Sequence, residues 1–256
     1  MNMSSFKFGA AALLALGLGA GVAQASGGAH IEKLDWSFNG AFGTFDRAAL
    51  QRGYQVYKEV CASCHSMKYL SYRNLQDIGF SEAEVKALAA QYEVPALDDV
   101  GDPTTEKAKP SDRFHSPFPN ELAARAANGG ALPPDLSLIA KARVGGPDYL
   151  HALLNGYHEA PAGFVLPEGK EYNAVFPGNA IGMPKPLSDD QVTYADGTKA
   201  TVEQMSRDVA TFLMWAAEPK LEDRKRAGVK VMGFLGLLTI LTFLTYRKVR
   251  RKVQGH

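Results

Sequence analysis

Cys61-Ala62-Ser63-Cys64-His65 is a C-x-x-C-H run, the spacing that attaches a haem covalently. Two thiols at this spacing can each add to a vinyl group of one porphyrin. The adjacent His65 is then held where its imidazole can ligate the iron. Two other chemistries use C-x-x-C. A structural zinc site takes four ligands, usually with more cysteines, and Cys61 and Cys64 are the only 2 cysteines in the chain. A thioredoxin-type motif expects an early strand-helix-strand pattern and has no need of the histidine. The run therefore reads as a c-type haem site, with both thiols used by the cofactor and none left for a disulfide.

Working outward, the two ends of the chain say where such a haem would sit. Residues 1–25 read as a cleaved secretory leader. Lys7 gives the positive start, Phe8 to Val22 the apolar stretch, and Ala23-Gln24-Ala25 the small-x-small cleavage site. Residues 228–246, GVKVMGFLGLLTILTFLTY, read as a membrane-spanning helix. Nineteen helical residues reach about 28 Å, close to one hydrocarbon core. The tail 247–256 carries Arg247, Lys248, Arg250, Arg251 and Lys252 with no acidic residue, which places it on the cytoplasmic side. The body between, 26–227, is expected to be periplasmic, outside a bacterial inner membrane.

Charge divides along the same lines. The chain holds 28 Lys+Arg and 27 Asp+Glu, but seven of the basic residues (Lys7, Lys230 and the five in the tail) lie in the leader, span or tail. The body keeps 21 basic residues against 27 acidic ones, about six net negative charges. An acidic, tethered body suits a basic soluble partner, steered by charge; plain solubility would account for the same excess. No nucleic-acid partner is expected.

Within the body the pattern is mainly α. Asp46 is an N-cap for a helix that runs through Tyr54, Tyr57 and Val60 into Cys61. Gly53, inside that helix, costs about 1 kcal/mol relative to Ala; a close crossing with another helix would explain it, and so would a tolerated glycine. Ser81 to Gln91 is a short helix with Ser81 and Glu84 as a capping box. Pro95 to Asn120 reads as a surface loop. Helices are expected over Glu121 to Asn128, Leu136 to Arg143, and Pro147 to Asn155, the first stopped by Gly129-Gly130 and the last by Gly156. Gly156 to Pro186 is long and aperiodic yet apolar, so it reads as wrapping something. Tyr194 to Thr198 looks like a turn between two short strands, and Thr201 to Ala217 like an amphipathic helix ended by Glu218-Pro219.

With His65 on one side of an iron, the other side can hold Met, His or nothing. Met67 is too near His65 to reach the opposite face, and Met205 and Met214 lie on the last helix of the body, where Met usually packs a core. Met183, in Ala180-Ile181-Gly182-Met183-Pro184 of the apolar loop, is the favoured distal ligand. A histidine (His115, His151 or His158) and an open position remain the alternatives, the histidines otherwise serving at the surface or in hydrogen bonds.

Several stretches together resemble the cytochrome c1 family, the haem subunits of the cytochrome bc1 complex. They are Arg52-Gly53-Tyr54-Gln55-Val56-Tyr57 leading to CASCHSM, Ala123 to Asn128, Gly130 to Ser137 (GALPPDLS), and Phe176-Pro177-Gly178 through Met183. Phe212-Leu213-x-Trp215-Ala216-Ala217-Glu218-Pro219 and Arg224-Lys225-Arg226 before the span complete the set. The resemblance implies a class I cytochrome c-type haem domain with long loop insertions plus one C-terminal transmembrane helix. It implies one haem c on Cys61 and Cys64, with His65 and Met183 as axial ligands. It further implies that Arg143 and Tyr149 contact a haem propionate and that Asn128, Ala131, Pro133, Pro134 and Phe176 line the haem crevice. Some bacterial members carry a disulfide in the loop before the Met; this chain has no spare cysteines, so its loop must be held by packing alone.

By the same resemblance, the chain is an electron-transfer subunit of a quinol–cytochrome c oxidoreductase with no catalytic chemistry of its own. It would take one electron from the Rieske iron–sulfur protein and give it to a soluble or tethered cytochrome c, beside cytochrome b in a dimeric complex. The competing class is a membrane-anchored haem enzyme, a peroxidase or oxidase subunit with a displaceable distal ligand. A membrane-anchored sensor would need a signalling domain, and the stretch after Tyr246 is too short for one.

Overall fold

Two helices that cross at a glycine carry the body of the protein. The computed structural model describes residues 31–254; the expected leader, 1–25, lies outside them. Helix α1 (Arg47–Glu59) starts at Asp46, whose carboxylate accepts from the backbone N–H of Ala48 and Ala49. Helix α6 (Val202–Ala217) starts at Thr201, whose hydroxyl accepts from Gln204 N–H. Where they cross, a Cβ on Gly53 would stand 2.1 Å from the backbone oxygen of Asp208 and 2.7 Å from Phe212 Cβ. The close crossing is the reason for the glycine. Around it lie buried Leu50, Tyr54, Tyr57, Phe212, Leu213 and Trp215.

The chain leaves α1 in a 3-10 turn at Cys61–Ser63 and, after a bend, a longer 3-10 helix at Tyr72–Ile78. The latter was not expected, although Ser71 and Asn74 cap it reciprocally, a polar variant of the capping box. Helix α2 (Glu82–Ala89) begins at the expected box, Ser81 with Glu84. Part of the expected surface loop is instead a hairpin: β1 (Glu93–Leu97) pairs antiparallel with β2 (Pro103–Lys107), Glu93 opposite Lys107 and Leu97 opposite Pro103. Strand β2 is polar and exposed, and β1 is a short apolar run broken by Pro95, so neither carries an alternating apolar signal.

Helix α3 (Glu121–Ala127), the four-residue α4 (Ile139–Ala142) and α5 (Pro147–Asn155) follow. Helix α4 is shorter than expected because Leu136 and Ser137 are taken up in contacts with residues 66–69. The long apolar loop contains the two-residue strands β3 (Glu171–Tyr172) and β4 (Ala180–Ile181), paired antiparallel. The Tyr194 to Thr198 segment turns at Ala195-Asp196, but no strands flank it.

Helix α7 (Leu221–Gln254) runs unbroken for 34 residues, about 51 Å at 1.5 Å each. It contains the expected span and extends it at both ends, where Lys, Arg and Glu are good helix formers. Glu222 and Asp223 in its first turn and Arg251 and Lys252 in its last suit the helix dipole. Its apolar window has mean hydropathy 1.9 and no buried surface, and it is the one helix among the described residues long and apolar enough to cross a membrane. Its base is fastened to the body. Glu222 accepts from Phe45 N–H and from the Arg47 guanidinium, and the Lys225 ammonium donates to the carbonyls of Phe38 and Gly43.

Candidate functional site

A cavity of about 670 Å³ lies against α5, α6 and the 3-10 turn that follows α1. Its size is that of a small-molecule or cofactor site. Cys61, Cys64, His65 and Met183 all line it, as do Asn128, Ala131, Pro133, Pro134, Arg143, Tyr149 and Phe176. The sequence-chosen residues, drawn from segments up to 122 positions apart, therefore share one space. Much of the remaining wall is aliphatic: Ile139 from α4, Leu150, Leu153 and Leu154 from α5, Val209 and Leu213 from α6. The α5 leucines were not singled out beforehand, although their helical spacing marks an apolar face.

The competing iron ligands lie elsewhere. Met67 and Met205 are fully buried in the core, and Met214 packs partly buried against it. His115 stacks on Tyr92 with ring centroids 5.5 Å apart. His151 is buried, its Nδ1 3.0 Å from Ser206 Oγ and its Nε2 3.2 Å from a Glu203 oxygen. His158 is exposed on the loop after α5. Of the methionines and histidines weighed as distal ligands, only Met183 lines the cavity with His65.

The thiols and the imidazole are set by their backbone. The N–H groups of Cys64 and His65 both donate to the Cys61 carbonyl, which curls the motif into its 3-10 turn. Burial pushes the Cys61 thiol up to about 12, and the neighbouring Cys64 adds to the shift, so Cys61 is a neutral thiol at ordinary pH. His65 Nδ1 lies 2.8 Å from the carbonyl oxygen of Pro134. Since a carbonyl only accepts, Nδ1 carries the proton and Nε2 keeps its lone pair for a metal. Burial lowers the His65 pKa, against the opposing pulls of the Pro134 carbonyl and Asp135. A backbone oxygen has no residue-type signature, so this partner had no signal in the sequence.

The Met183 loop is held by polar groups as well as by packing. Tyr157 is buried and its hydroxyl donates to the Met183 carbonyl at 3.1 Å. Asn173, with no exposed surface, donates to the Leu153 carbonyl at 2.8 Å and accepts from the N–H groups of Val175 and Phe176. Asn179, in a left-handed conformation at φ 57°, donates back to the carbonyls of Asn173 and Ala174. The expectation of packing alone is corrected: a buried asparagine ties this loop to α5.

Arg143 is exposed at the rim, where its guanidinium donates to the Ala142 carbonyl and, among the described residues, has no carboxylate partner. Burial raises the Tyr149 hydroxyl pKa, and Arg143 pulls it back down, so the two side chains already share a field. Asn128 is committed to the Ala124 carbonyl at 2.7 Å and forms wall rather than ligand. Two thiols, an imidazole with a fixed tautomer, a thioether and a rim arginine around an apolar space make a donor set that fits a covalently attached haem. Zinc fits less well: among the described residues, no group of three or more His, Cys, Asp or Glu could hold an ion.

Comparison with known proteins points the same way. The pattern described as the Cytochrome C1 family matches residues 36–253. A cytochrome c1 of Rhodospirillum rubrum is 51% identical over 245 residues, covering 89% of this chain and 90% of that protein. A mitochondrial cytochrome c1 haem protein of Kluyveromyces lactis is 53% identical over 207 residues, 80% of this chain and 71% of that protein. A protein of Bradyrhizobium diazoefficiens named cytochrome b/c1 is 55% identical over 223 residues, which are 78% of this chain but 32% of that longer protein.

Proposed function

The chain belongs to the cytochrome c1 family, and on that premise we propose that it passes single electrons from a Rieske iron–sulfur protein to a soluble or tethered cytochrome c. Members of the family carry one covalently attached haem c and are the electron-transfer haem subunit of the bc1 complex. The observation that carries the finer reading is the shared cavity. It gathers Cys61, Cys64, His65 and Met183 and, among the described residues, leaves the other methionines and histidines outside.

In this reading Cys61 and Cys64 would form the thioether links to the haem, and His65 and Met183 would ligate its iron. The haem supplies a centre that accepts and releases one electron. The chain's own residues do the rest. Pro134 fixes the His65 tautomer, Tyr157 and Asn173 hold the Met183 loop in place, and the leucines of α5 exclude water, which favours a high potential together with the methionine. Arg143 and Tyr149 meet the propionates. With His65 and Met183 both ligating the iron, the haem would have no open site for peroxide or oxygen, and the reacting quinol would belong to a partner.

That partner is a cytochrome b. The Bradyrhizobium relative is named cytochrome b/c1, and helix α7, with no buried residue in its apolar window, offers a face for such a partner. Residues 1–25 are a cleaved leader, 26–227 a periplasmic haem domain, 228–246 the span and 247–256 a cytoplasmic tail, in a dimeric complex of a bacterial inner membrane. Purification in mild detergent tests the assignment. Cytochrome b and an iron–sulfur protein should accompany the chain, and quinol should reduce its haem. A solitary haem protein that binds carbon monoxide at neutral pH would instead support the enzyme reading.

A further inference from the structure

The Pro134 carbonyl does not hold His65 by itself. Its segment is zipped onto the residues that follow the histidine. Leu136 N–H donates to the Ser66 carbonyl at 2.9 Å, and Tyr69 N–H donates to Ser137 Oγ at 3.0 Å. Between these two bonds sits Asp135. One carboxylate oxygen accepts from Ser66 Oγ at 2.8 Å and from Lys68 N–H at 2.9 Å. The other accepts from Ser137 N–H at 2.9 Å. One side chain thus bridges three residues on both sides of the contact between His65 and Pro134. Burial pushes the Asp135 carboxyl up, but its hydrogen bonds outweigh burial and hold it below the usual carboxylate range, so it is an anion at ordinary pH.

We propose that Asp135 is the positioning residue for the axial histidine: it presses the Pro134 carbonyl onto His65 Nδ1 and places a fixed negative charge behind the imidazole. This rests on the reading of His65 as a ligand of the haem iron and adds a residue to it. Two consequences have the same sign. A carbonyl held firmly on Nδ1–H raises the basicity of the opposite nitrogen. A nearby anion, only weakly screened in a partly buried site, favours the more positive, oxidised iron. Asp135 therefore lowers the midpoint potential. It touches neither haem nor substrate, and its effect passes through His65. Ordinary loop bracing would account for the hydrogen bonds but not for a signed electrostatic effect.

The test uses the purified holoprotein in detergent, with redox titration, electron paramagnetic resonance of the oxidised form and proton NMR of the reduced form. Asp135→Asn removes the charge at nearly constant shape, and its midpoint potential should shift upward. Asp135→Glu keeps the charge and should bring the potential back toward the wild-type value. An Asp135→Asn protein with a histidine-ligated spectrum and an unmoved potential overturns the inference while leaving His65 as the ligand. A wild-type protein without a histidine-ligated spectrum removes the axial role of His65, and the inference with it. Should Asp135→Asn fail to accumulate, Ser66→Ala keeps the charge and deletes one of the two donors to the same oxygen. The His65 Nδ1 proton should then exchange with solvent about fivefold faster, and unchanged exchange contradicts the clamp.

Discussion

Asp208 in α6 turns its backbone carbonyl toward Gly53 of α1 so closely that a Cβ there would stand 2.1 Å from the oxygen. No side chain fits, and the two helices that flank the haem cavity owe their separation to that absence. The neighbouring pair Arg52 and Asp208 reinforces the crossing, the guanidinium donating to both carboxylate oxygens at 2.9 and 3.0 Å.

Gly53→Ala should therefore destabilise the protein even though alanine is the better helix former. Overpacking costs about 1–3 kcal/mol, against the roughly 1 kcal/mol that alanine returns in propensity. Because the obstacle here is main chain rather than a mobile side chain, a net loss of about 2 kcal/mol is expected. Denaturant titration followed by the haem absorption would read it as a lower midpoint with unchanged slope.

Asn173→Ala should loosen the Met183 loop. The substitution strands the N–H groups of Val175 and Phe176, which Asn173 satisfies at 3.0 Å each, and leaves the Leu153 carbonyl with the Gly156 N–H alone. Leaving buried groups unpaired costs about 1–3 kcal/mol each, and partial rescue by water brings the expected loss to about 3 kcal/mol. If Met183 ligates the iron, the reduced haem of this variant should also begin to bind carbon monoxide, seen as a shifted absorption band.

Acid stability has an identifiable contributor in Asp196. Its carboxyl is held down to about 2 by the Thr198 N–H and by the Arg52 guanidinium, from an ordinary value of 3.8. A depressed carboxylate stabilises the fold above its unfolded pKa, and the contribution is lost as pH falls through the folded value. The loss should thus fall between about pH 4 and pH 2. Asp196→Asn should be slightly less stable than wild type at neutral pH and should show a flatter decline over that window. Parallel acid-stability curves would contradict the assignment.

The parts of the molecule that the sequence announced are those where a side chain carries its own instruction. Asp46, Ser81 and Thr201 are capping residues and start helices where expected; Pro147 and Gly156 bracket α5. The thiols, His65 and Met183 are residue types with few other uses in this pattern. What was hidden depends on main chain or on tertiary partners. The Pro134 carbonyl that holds His65 could belong to any residue. The hairpin at Glu93–Lys107 joins a Pro-broken apolar run to a polar strand and has no apolar alternation to betray it. Asn173 looks like any loop asparagine until burial shows that both ends of its amide are used. Gly53 was legible as an anomaly, but only the position of Asp208 explains it.

The central claim is that His65 and Met183 close the two axial positions of one haem. Near-infrared magnetic circular dichroism of the oxidised protein, compared with its Met183→Leu variant, tests it most directly. The wild type should show the charge-transfer band of histidine–methionine ligation, and the variant should lose it, with a large fall in midpoint potential. A band and potential that survive Met183→Leu unchanged would contradict the account.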